Sequence, residues 1–339
     1  MSKMSTDLIR HALHGPTMGT RWQATFFAPQ GFDPEPIRHA MQAAVDEVDA
    51  QMSTWKPDSD LMRLNAAPVG AWLATPARLI AVLELGLEVG RASDGAFDMG
   101  MGDAVTAWGF GPQTADPDGI RAAMTVARRA ASDALEVDAA LGRLRKTAPI
   151  TLDLNGVAKG YGVDRLAETL VAGGIASGLV GIDGEMRALG LRPDGTAWTI
   201  AVEAPDPDRR APRSILNLED AAVATSGDYR HWVDVQGLRL SHTIDPARGA
   251  PLLSSPASVT VVARSCAAAD AWATALMVLG PARGAEIAKQ CGIDVLFLMR
   301  EDGASERSVG VGRLFGDNGA AGSASAEDRA RWTPRERIV

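Results

Sequence analysis

The stretch ITLDLNGVAKGYGVD at residues 150–164 decides the fold prediction, because a strand pattern, a turn pattern and a helix pattern follow one another in it. Residues 150–154 are mostly apolar and predict a short strand. Asn155-Gly156 is typical of a turn, and the residues after it predict a helix that ends near Gly173-Gly174. A second apolar stretch at 178–183 predicts another strand, so the middle of the chain is predicted to form a β-α-β unit.

Helix and strand patterns flank this unit on both sides. On the N-terminal side, the sequence predicts a strand at 22–27, a helix at 34–52 with apolar residues at steps of three and four, and a helix that begins with Thr75 as N-cap and Pro76. On the C-terminal side, strands are predicted at 199–202, 214–218, 223–225, 232–235, 239–244, 258–263 and 294–299, and helices at 267–279 and 281–290. The fold class expected is α+β, with mixed or antiparallel sheets flanked by helices.

Length and composition indicate a soluble globular protein. Hydrophobic residues make up 46% and charged residues 22% of the 339 residues. Because one hydrophobic core rarely extends beyond ~250–300 residues, two lobes are expected. Residues 1–13 are predicted to be a loose leader, 14–316 the folded domain, and the Gly-, Ala- and Ser-rich residues 317–339 a disordered tail.

Charge and absent motifs exclude several classes of function. The net charge is −8 and no basic block occurs, which argues against a nucleic-acid partner. No apolar run reaches the ~18 residues of a membrane-spanning helix, and the N-terminus has no secretory pattern or lipid-attachment cysteine, so a cytoplasmic protein without a membrane anchor is expected. The sequence contains no P-loop, no GxSxG, no HExxH and no CxxC, which argues against common nucleotide, serine-hydrolase and zinc sites.

Asp270 and Thr274 are a candidate metal site. They are four residues apart in a predicted helix and therefore share one face. Carboxylate and hydroxyl oxygens are hard ligands that suit Mg²⁺, which usually keeps few protein ligands and bridges to substrate phosphates. The alternative is a solvated Asp and a Thr that packs its methyl group.

Lys159 is a candidate phosphate-binding residue. The chain has five lysines, and this one falls in the first turn of a predicted helix, where a cation opposes the helix dipole. A bound phosphate would explain that placement, because the amides at a helix start also attract anions. An ordinary exposed lysine is the alternative.

His242 is a candidate general base. It lies in SHTIDP at 241–246, where a predicted strand runs into an Asp-Pro turn. An imidazole can accept a proton near neutral pH. The alternative is a histidine whose hydrogen bonds only fix the turn.

Aromatic residues near the front of the chain could stack on a flat ligand. Trp55 precedes a Pro turn, and Phe97 lies in the turn GAFD at 95–98. Considered singly, each such residue is more often explained by packing.

In their order along the chain, these segments resemble the ApbE family of FAD:protein FMN transferases. The resemblance extends over roughly 15–300. The matching motifs are TMGT at 17–20, MSTW-x-P-x-S at 52–59 followed by RLN at 63–65, GAFD at 95–98, LDLNGVAKGYGVD at 152–164, GIDGEMRALG at 181–190, ATSGDYR at 224–230, SHTIDPARGAP at 241–251 and ADAWATALMVLG at 269–280.

The resemblance implies a T-fold-like α+β architecture with the flavin site between two lobes. It also implies a Mg²⁺-dependent enzyme that moves FMN from FAD to a Ser or Thr hydroxyl in a flavinylation motif of an acceptor flavoprotein, with release of AMP. The implied metal site consists of Asp270, Thr274 and the backbone oxygens of Gly156 and Ala273. The implied FAD contacts are Met18, Trp55, Ala96, Phe97, Asp98, Asp153, Lys159 and Ile244. His242 and Asp270 are the expected catalytic residues.

Two departures and two alternatives accompany the resemblance. Many family members carry export and lipid-anchor signals that this sequence lacks, and position 55 is Trp where Tyr is frequent. The alternatives are a Mg²⁺-dependent pyrophosphatase that converts FAD to FMN and AMP, and a non-catalytic protein that binds or delivers flavin.

Overall fold

The computed structural model of this chain describes residues 8–204, 212–228, 232–235, 238–300 and 306–316. The helices in these ranges are α1 (Glu35–Met52), α2 (Asp60–Ala66), α3 (Ala77–Ala92), α4 (Gly102–Ala107), α5 (Pro117–Thr125), α6 (Ala131–Ala134), a 3₁₀ helix (Ala139–Leu141), α7 (Ala158–Ala172) and α8 (Cys266–Cys291). The strands in these ranges are β1 (Leu8–Thr17), β2 (Thr20–Pro29), β3 (Leu73–Ala74), β4 (Leu135–Asp138), β5 (Arg143–Lys146), β6 (Gly178–Ile182), β7 (Glu185–Leu189), β8 (Trp198–Glu203), β9 (Pro212–Leu218), β10 (Ala222–Gly227), β11 (Trp232–Val235), β12 (Leu238–Ser241), β13 (Ile244–Asp245), β14 (Ala250–Pro251), β15 (Ser258–Ala263), β16 (Asp294–Arg300) and β17 (Glu306–Val311).

An eight-stranded antiparallel sheet organises the fold. Its strand order is β1-β2-β6-β7-β10-β15-β16-β17. Helices α1 and α7 pack on the β2–β6 part through a core that contains Trp22 and Phe26, and α8 packs on β15 and β16 around Phe297. The β8–β9 hairpin packs through Trp198 and Leu216 against residues of β7, β10 and β15, among them Val262. The predicted α+β class with antiparallel sheets and flanking helices is therefore confirmed.

The predicted strand at 150–154 is wrong, although the helix and the strand after it are confirmed as α7 and β6. The segment is extended, but only Thr151 pairs in a ladder, as an isolated bridge to Met101. Leu152 bonds instead to one side chain: its N–H donates to Asn65 Oδ1 at 2.8 Å, and its carbonyl accepts from Asn65 Nδ2 at 2.9 Å. The amide of Asn65 thus takes the place of a neighbouring strand.

The predicted loose leader also differs from the structure. Residues 8–13 belong to β1, which pairs with β2 from Leu8 opposite Pro29 to Thr17 opposite Thr20. The tight connection between these strands has positive φ at Met18 (45°) and Gly19 (71°), a conformation that suits the twist of a two-residue hairpin. Residues 1–7 and the predicted tail at 317–339 lie outside the described ranges.

Other boundaries shift by small amounts. Helix α3 has Pro76 at its N-cap position, and Thr75 is therefore not the cap. The hydroxyl of Thr75 donates a hydrogen bond to Leu73 O instead. The break predicted between the two C-terminal helices is a kink at Gly280 (φ 68°) within α8. The predicted strand at 239–244 is divided into β12 and β13, which leaves His242 in the connection between them. In the ranges given above, no helix has both the length and the apolar character that crossing a bilayer requires.

Candidate functional site

A cavity of about 590 Å³ lies where helices α7 and α8 meet the turns and loops at the end of the main sheet. This volume is in the range of ~300–1,000 Å³ that small-molecule sites usually have. Most residues that the sequence and the family resemblance assign to a site line it: Met18, Ala96, Phe97, Asp98, Asp153, Gly156, Lys159, His242, Ile244, Asp270 and Thr274. Segments far apart in the sequence therefore converge on one cavity.

Asp270 is the buried carboxylate at the centre of the α7–α8 contact. It is 6% exposed, and its Oδ2 accepts a hydrogen bond of 3.0 Å from the N–H of Gly160. Burial, with a smaller contribution from the negative charge of Glu185, raises the pKa of Asp270 to about 7, although the positive charge of Lys159 partly opposes the rise. Removal from water therefore disfavours the charged carboxylate, and an additional cation in the cavity would favour it.

Lys159 lies in the first turn of α7 and faces acidic residues of the β6–β7 hairpin. Its Nζ is 3.2 Å from Asp183 Oδ2 and 3.7 Å from Glu185 Oε1. Burial alone would lower the pKa of Lys159, but Glu185, Asp270 and Asp183 together outweigh it, so the net shift is upward. The ammonium group is thus held in its charged form at the cavity wall.

Asp153 lies on the loop before α7. Its side chain accepts hydrogen bonds from the backbone N–H of Asn155 (2.8 Å) and from Asn155 Nδ2 (3.0 Å), which fixes the turn that leads to Gly156. Burial outweighs the opposing effect of the Asn155 N–H, and the pKa of Asp153 is raised to about 6. A side chain at Gly156 would place its Cβ 3.1 Å from Thr274 Oγ1, so this loop approaches α8 closely.

Asp98 uses its carboxylate to shape the loop around Phe97. Oδ1 accepts hydrogen bonds from the N–H groups of Gly100 (2.7 Å) and Ala131 (3.1 Å). Burial raises the pKa of Asp98, and these two N–H groups partly offset the rise. Phe97 is 5% exposed, and its own N–H donates to Ser93 Oγ. The predicted turn therefore places the ring of Phe97 at the cavity wall, in a position that burial and this hydrogen bond fix.

His242 lines the same cavity as Lys159 and Asp270. Its ring meets Phe110 edge to face, with the ring centroids 6.4 Å apart. Ile244 and Pro246 continue the wall on the same side.

Known proteins are similar to this chain over most of its length. The ApbE family model matches residues 18–297. FAD:protein FMN transferase of Vibrio cholerae is 38% identical over 86% of this chain and 87% of its own length, and that of Klebsiella pneumoniae is 35% identical over 85% and 84%. The chain belongs to the ApbE family.

Two solved structures of ApbE proteins have the same fold. The flavin transferase ApbE from Vibrio cholerae superposes with a TM-score of 0.80 at 34% identity, over 90% of this chain and 97% of the other. The flavinyl transferase ApbE from Pseudomonas stutzeri, in its apo form, gives 0.79 at 36% identity, over 90% and 95%.

Two residues that the ApbE resemblance assigns to the site do not line the cavity. Trp55 lies outside the cavity wall and is 63% exposed, in the turn between α1 and α2. The side chain of Ala273 is fully buried in the core between α8 and the main sheet. The FAD contact of Trp55 and the metal contact of the Ala273 backbone oxygen stay predictions.

Several polar residues of the wall, among them Asp183, Glu185 and Ser226, were not predicted as site residues, although the ApbE motifs contain them. Asp183 and Glu185 flank the tight turn between β6 and β7, and Ser226 lies on β10 with its hydroxyl 3.4 Å from Thr274 Oγ1. The sequence signal that could have indicated Asp183 and Glu185 is an acidic Asp-Gly-Glu turn between two apolar strands. Its partner, Lys159, is 24 residues earlier in the chain.

The donor set around Asp270 fits a hard cation with few protein ligands. Among the described residues, no group of three or more His, Cys, Asp or Glu side chains is arranged to hold a metal ion. The Asp270 carboxylate and the Thr274 hydroxyl nevertheless line the same cavity, and Asp270 Oδ2 is held by the Gly160 N–H. This combination suits Mg²⁺ completed by phosphate oxygens and water better than it suits zinc.

Proposed function

We propose that this chain is an FAD:protein FMN transferase, which moves FMN from FAD to a Ser or Thr hydroxyl of an acceptor flavoprotein and releases AMP. The observation that carries the proposal is that Lys159, Asp270 with Thr274, and His242 line one cavity in a chain of the ApbE family. The names of its relatives support the same activity.

The cavity offers complementary surfaces for a flavin dinucleotide. Met18, Phe97 and Ile244 provide apolar contacts for a ring system. Lys159 provides a fixed positive charge for a phosphate oxygen. Asp270, Thr274 and the backbone oxygens of Gly156 and Ala273 would hold Mg²⁺, which when bound neutralises charge on the pyrophosphate.

The transfer exchanges one bond to phosphorus for another. The acceptor hydroxyl oxygen forms a bond to the FMN phosphorus while the bond from that phosphorus to the bridging oxygen breaks. AMP leaves with the bridging oxygen and both electrons of that bond. His242 accepts the proton of the hydroxyl, and Lys159 stabilises the negative charge that develops on the phosphate oxygens.

Mass spectrometry of an acceptor tests the proposal. The protein is incubated with FAD, Mg²⁺ and a flavoprotein that carries a short Ser/Thr flavinylation motif, beside the same flavoprotein with that hydroxyl residue changed to Ala. We expect the first acceptor alone to gain the mass of FMN less one water. One AMP should be released for each FMN transferred. Free FMN and AMP with both acceptors unchanged would instead identify a pyrophosphatase, and unchanged FAD would identify a flavin-binding protein.

The metal assignment needs its own variant. EDTA should abolish transfer and added Mg²⁺ should restore it, and Asp270→Ala should remove most of the activity that Mg²⁺ supports. Ser265→Ala is the matched control, because it changes the same helix at its cap, away from the cavity. Full activity of Asp270→Ala in EDTA would contradict the metal site.

A further inference from the structure

Asp164 on α7 binds the start of α8, the helix that carries Asp270. Its Oδ1 accepts the N–H of Cys266 at 2.8 Å and its Oδ2 accepts the N–H of Ala267 at 2.9 Å. Arg187 on β7 holds the same carboxylate, with Nη1 2.6 Å from Oδ1. Asp164 is 5% exposed, so this ionic group is buried and fully engaged.

The two helices also bond in the opposite direction. One turn earlier on α7, the N–H of Gly160 donates to Asp270 Oδ2, and Asp270 is one turn later on α8 than Cys266. The helices therefore run antiparallel here, and each contributes an aspartate that accepts backbone N–H groups of the other. The two contacts are about 6 Å apart along each helix axis, at a rise of ~1.5 Å per residue.

Asp164 caps the N–H groups of Cys266 and Ala267 from a second helix. Helix α8 has its own N-cap, because Ser265 Oγ accepts the N–H of Ala268 at 3.2 Å. A buried carboxylate is costly to desolvate, and well-packed apolar residues often give equal or greater stability. What a bond between helices adds is a fixed register of α8 against α7.

We propose that Asp164 is a positioning residue that sets where Asp270 stands relative to Lys159, and so sets the affinity of the site for Mg²⁺. Lys159 immediately precedes Gly160, so the α7 turn that donates to Asp270 also carries the lysine. If α8 slides or tilts, Asp270 moves away from Lys159, and Thr274 on the same helix moves away from the loop at Gly156 that it approaches closely. This inference rests on the proposed function, because that function requires the metal.

The test is a titration of the FAD-saturated protein with Mg²⁺ in a calorimeter, in the absence of acceptor. Asp164→Asn keeps the shape and one carbonyl oxygen but loses the ion pair with Arg187 and one strong acceptor. We expect the dissociation constant for Mg²⁺ to rise about 10–100-fold, the usual effect of removing a group that orients a metal ligand. The backbone amides of Cys266 and Ala267 should also exchange hydrogen faster.

Ser265→Ala is the matched control, because it removes the N-cap of α8 and leaves the hydrogen bonds between the two helices in place. Its Mg²⁺ affinity should stay near that of the wild type. Equal losses in Ser265→Ala and Asp164→Asn would overturn the proposal in favour of general fraying of α8, and so would an unchanged affinity in folded Asp164→Asn. If Asp164→Asn does not fold, Arg187→Met, which frees one side of Asp164, must shift the affinity in the same direction.

The outcomes separate this inference from the proposed function. Failure of the wild type to bind Mg²⁺ would contradict the proposed metal dependence and this inference with it. Wild-type binding with unchanged affinity in both Asp164→Asn and Arg187→Met would overturn the positioning role and leave the proposed function standing.

Discussion

Gly160→Ala should impair the site far more than it impairs the fold. The added Cβ would lie 2.3 Å from Cys266 O and 2.8 Å from the Cβ of Asp270. The first of these atoms belongs to the backbone, so no side-chain rotation relieves the overlap. Restoring an ordinary contact of 3.4 Å requires α8 to move away from α7 by about 1 Å.

The effect on stability is the difference between two opposing terms. Alanine is favoured over glycine inside a helix by about 1 kcal/mol, whereas overpacking of this kind costs about 1–3 kcal/mol. The expected net loss is therefore at most about 2 kcal/mol, and the variant should fold.

The effect on the site has no such compensation. A displacement of about 1 Å stretches the 3.0 Å bond from Gly160 N–H to Asp270 beyond hydrogen-bonding distance. A misplacement of that size can cost about 10²-fold in rate. We therefore expect the transfer rate to fall by about that factor, measured in single-turnover assays with an acceptor, beside urea unfolding of the same preparations.

Gly162→Ala on the same helix is the matched control. Its Cβ would meet only the ends of two side chains, Ile182 Cδ1 at 2.9 Å and Met18 Cε at 3.2 Å. Both ends can rotate away, so the loss of activity should be much smaller. A Gly160→Ala enzyme that transfers FMN at the wild-type rate would refute the reasoning, because α8 would then tolerate displacement from α7.

Three further predictions concern single side chains. His242→Asn should retain FAD binding but slow single-turnover transfer by about 10²–10⁴-fold, and an unchanged rate would assign the proton to another group. Trp55→Ala should weaken FAD binding, by about 0.5–1.5 kcal/mol beyond the buried area, with no change in melting temperature because the ring is exposed; unchanged affinity in calorimetry would leave Trp55 without a role in binding. Asn65→Ala should destabilise the protein by about 2–4 kcal/mol in urea unfolding, since it leaves the N–H and carbonyl of Leu152 unpaired; a loss below 1 kcal/mol would show that water replaces the amide.

Local patterns sufficed for the elements whose apolar residues recur with a clear period. The apolar positions of α1, spaced by three and four, are all buried in the structure: Ile37, Met41, Val45, Val48 and Met52. The strand predicted at 258–263 has the bounds of β15. In these elements the periodicity reflects burial on one face, which a sequence records directly.

The failures involve partners that lie far away in the sequence. The stretch at 150–154 has the composition of a strand, but its backbone bonds to Asn65, 87 residues earlier. Nothing local distinguishes such a segment from a sheet strand. Similarly, Asp164 lies within a recognised motif, yet its function depends on α8, 102 residues later. Composition predicts which residues are available for chemistry, and tertiary contacts decide which of them position the others.

The charges around Lys159 explain why FAD and a divalent cation should bind together. Asp183 and Glu185 are within 4 Å of its ammonium group, at 3.2 Å and 3.7 Å, and Asp270 contributes a further negative charge nearby. One lysine therefore faces three carboxylates, and a pyrophosphate that entered alone would bring more negative charge into a partly buried site. A divalent cation reverses this balance, because it favours the ionised form of Asp270 and attracts the phosphate oxygens at the same time. The acidic β6–β7 turn raises the pKa of Lys159 and so keeps it charged, and we predict that the affinity of the site for FAD rises when Mg²⁺ is added.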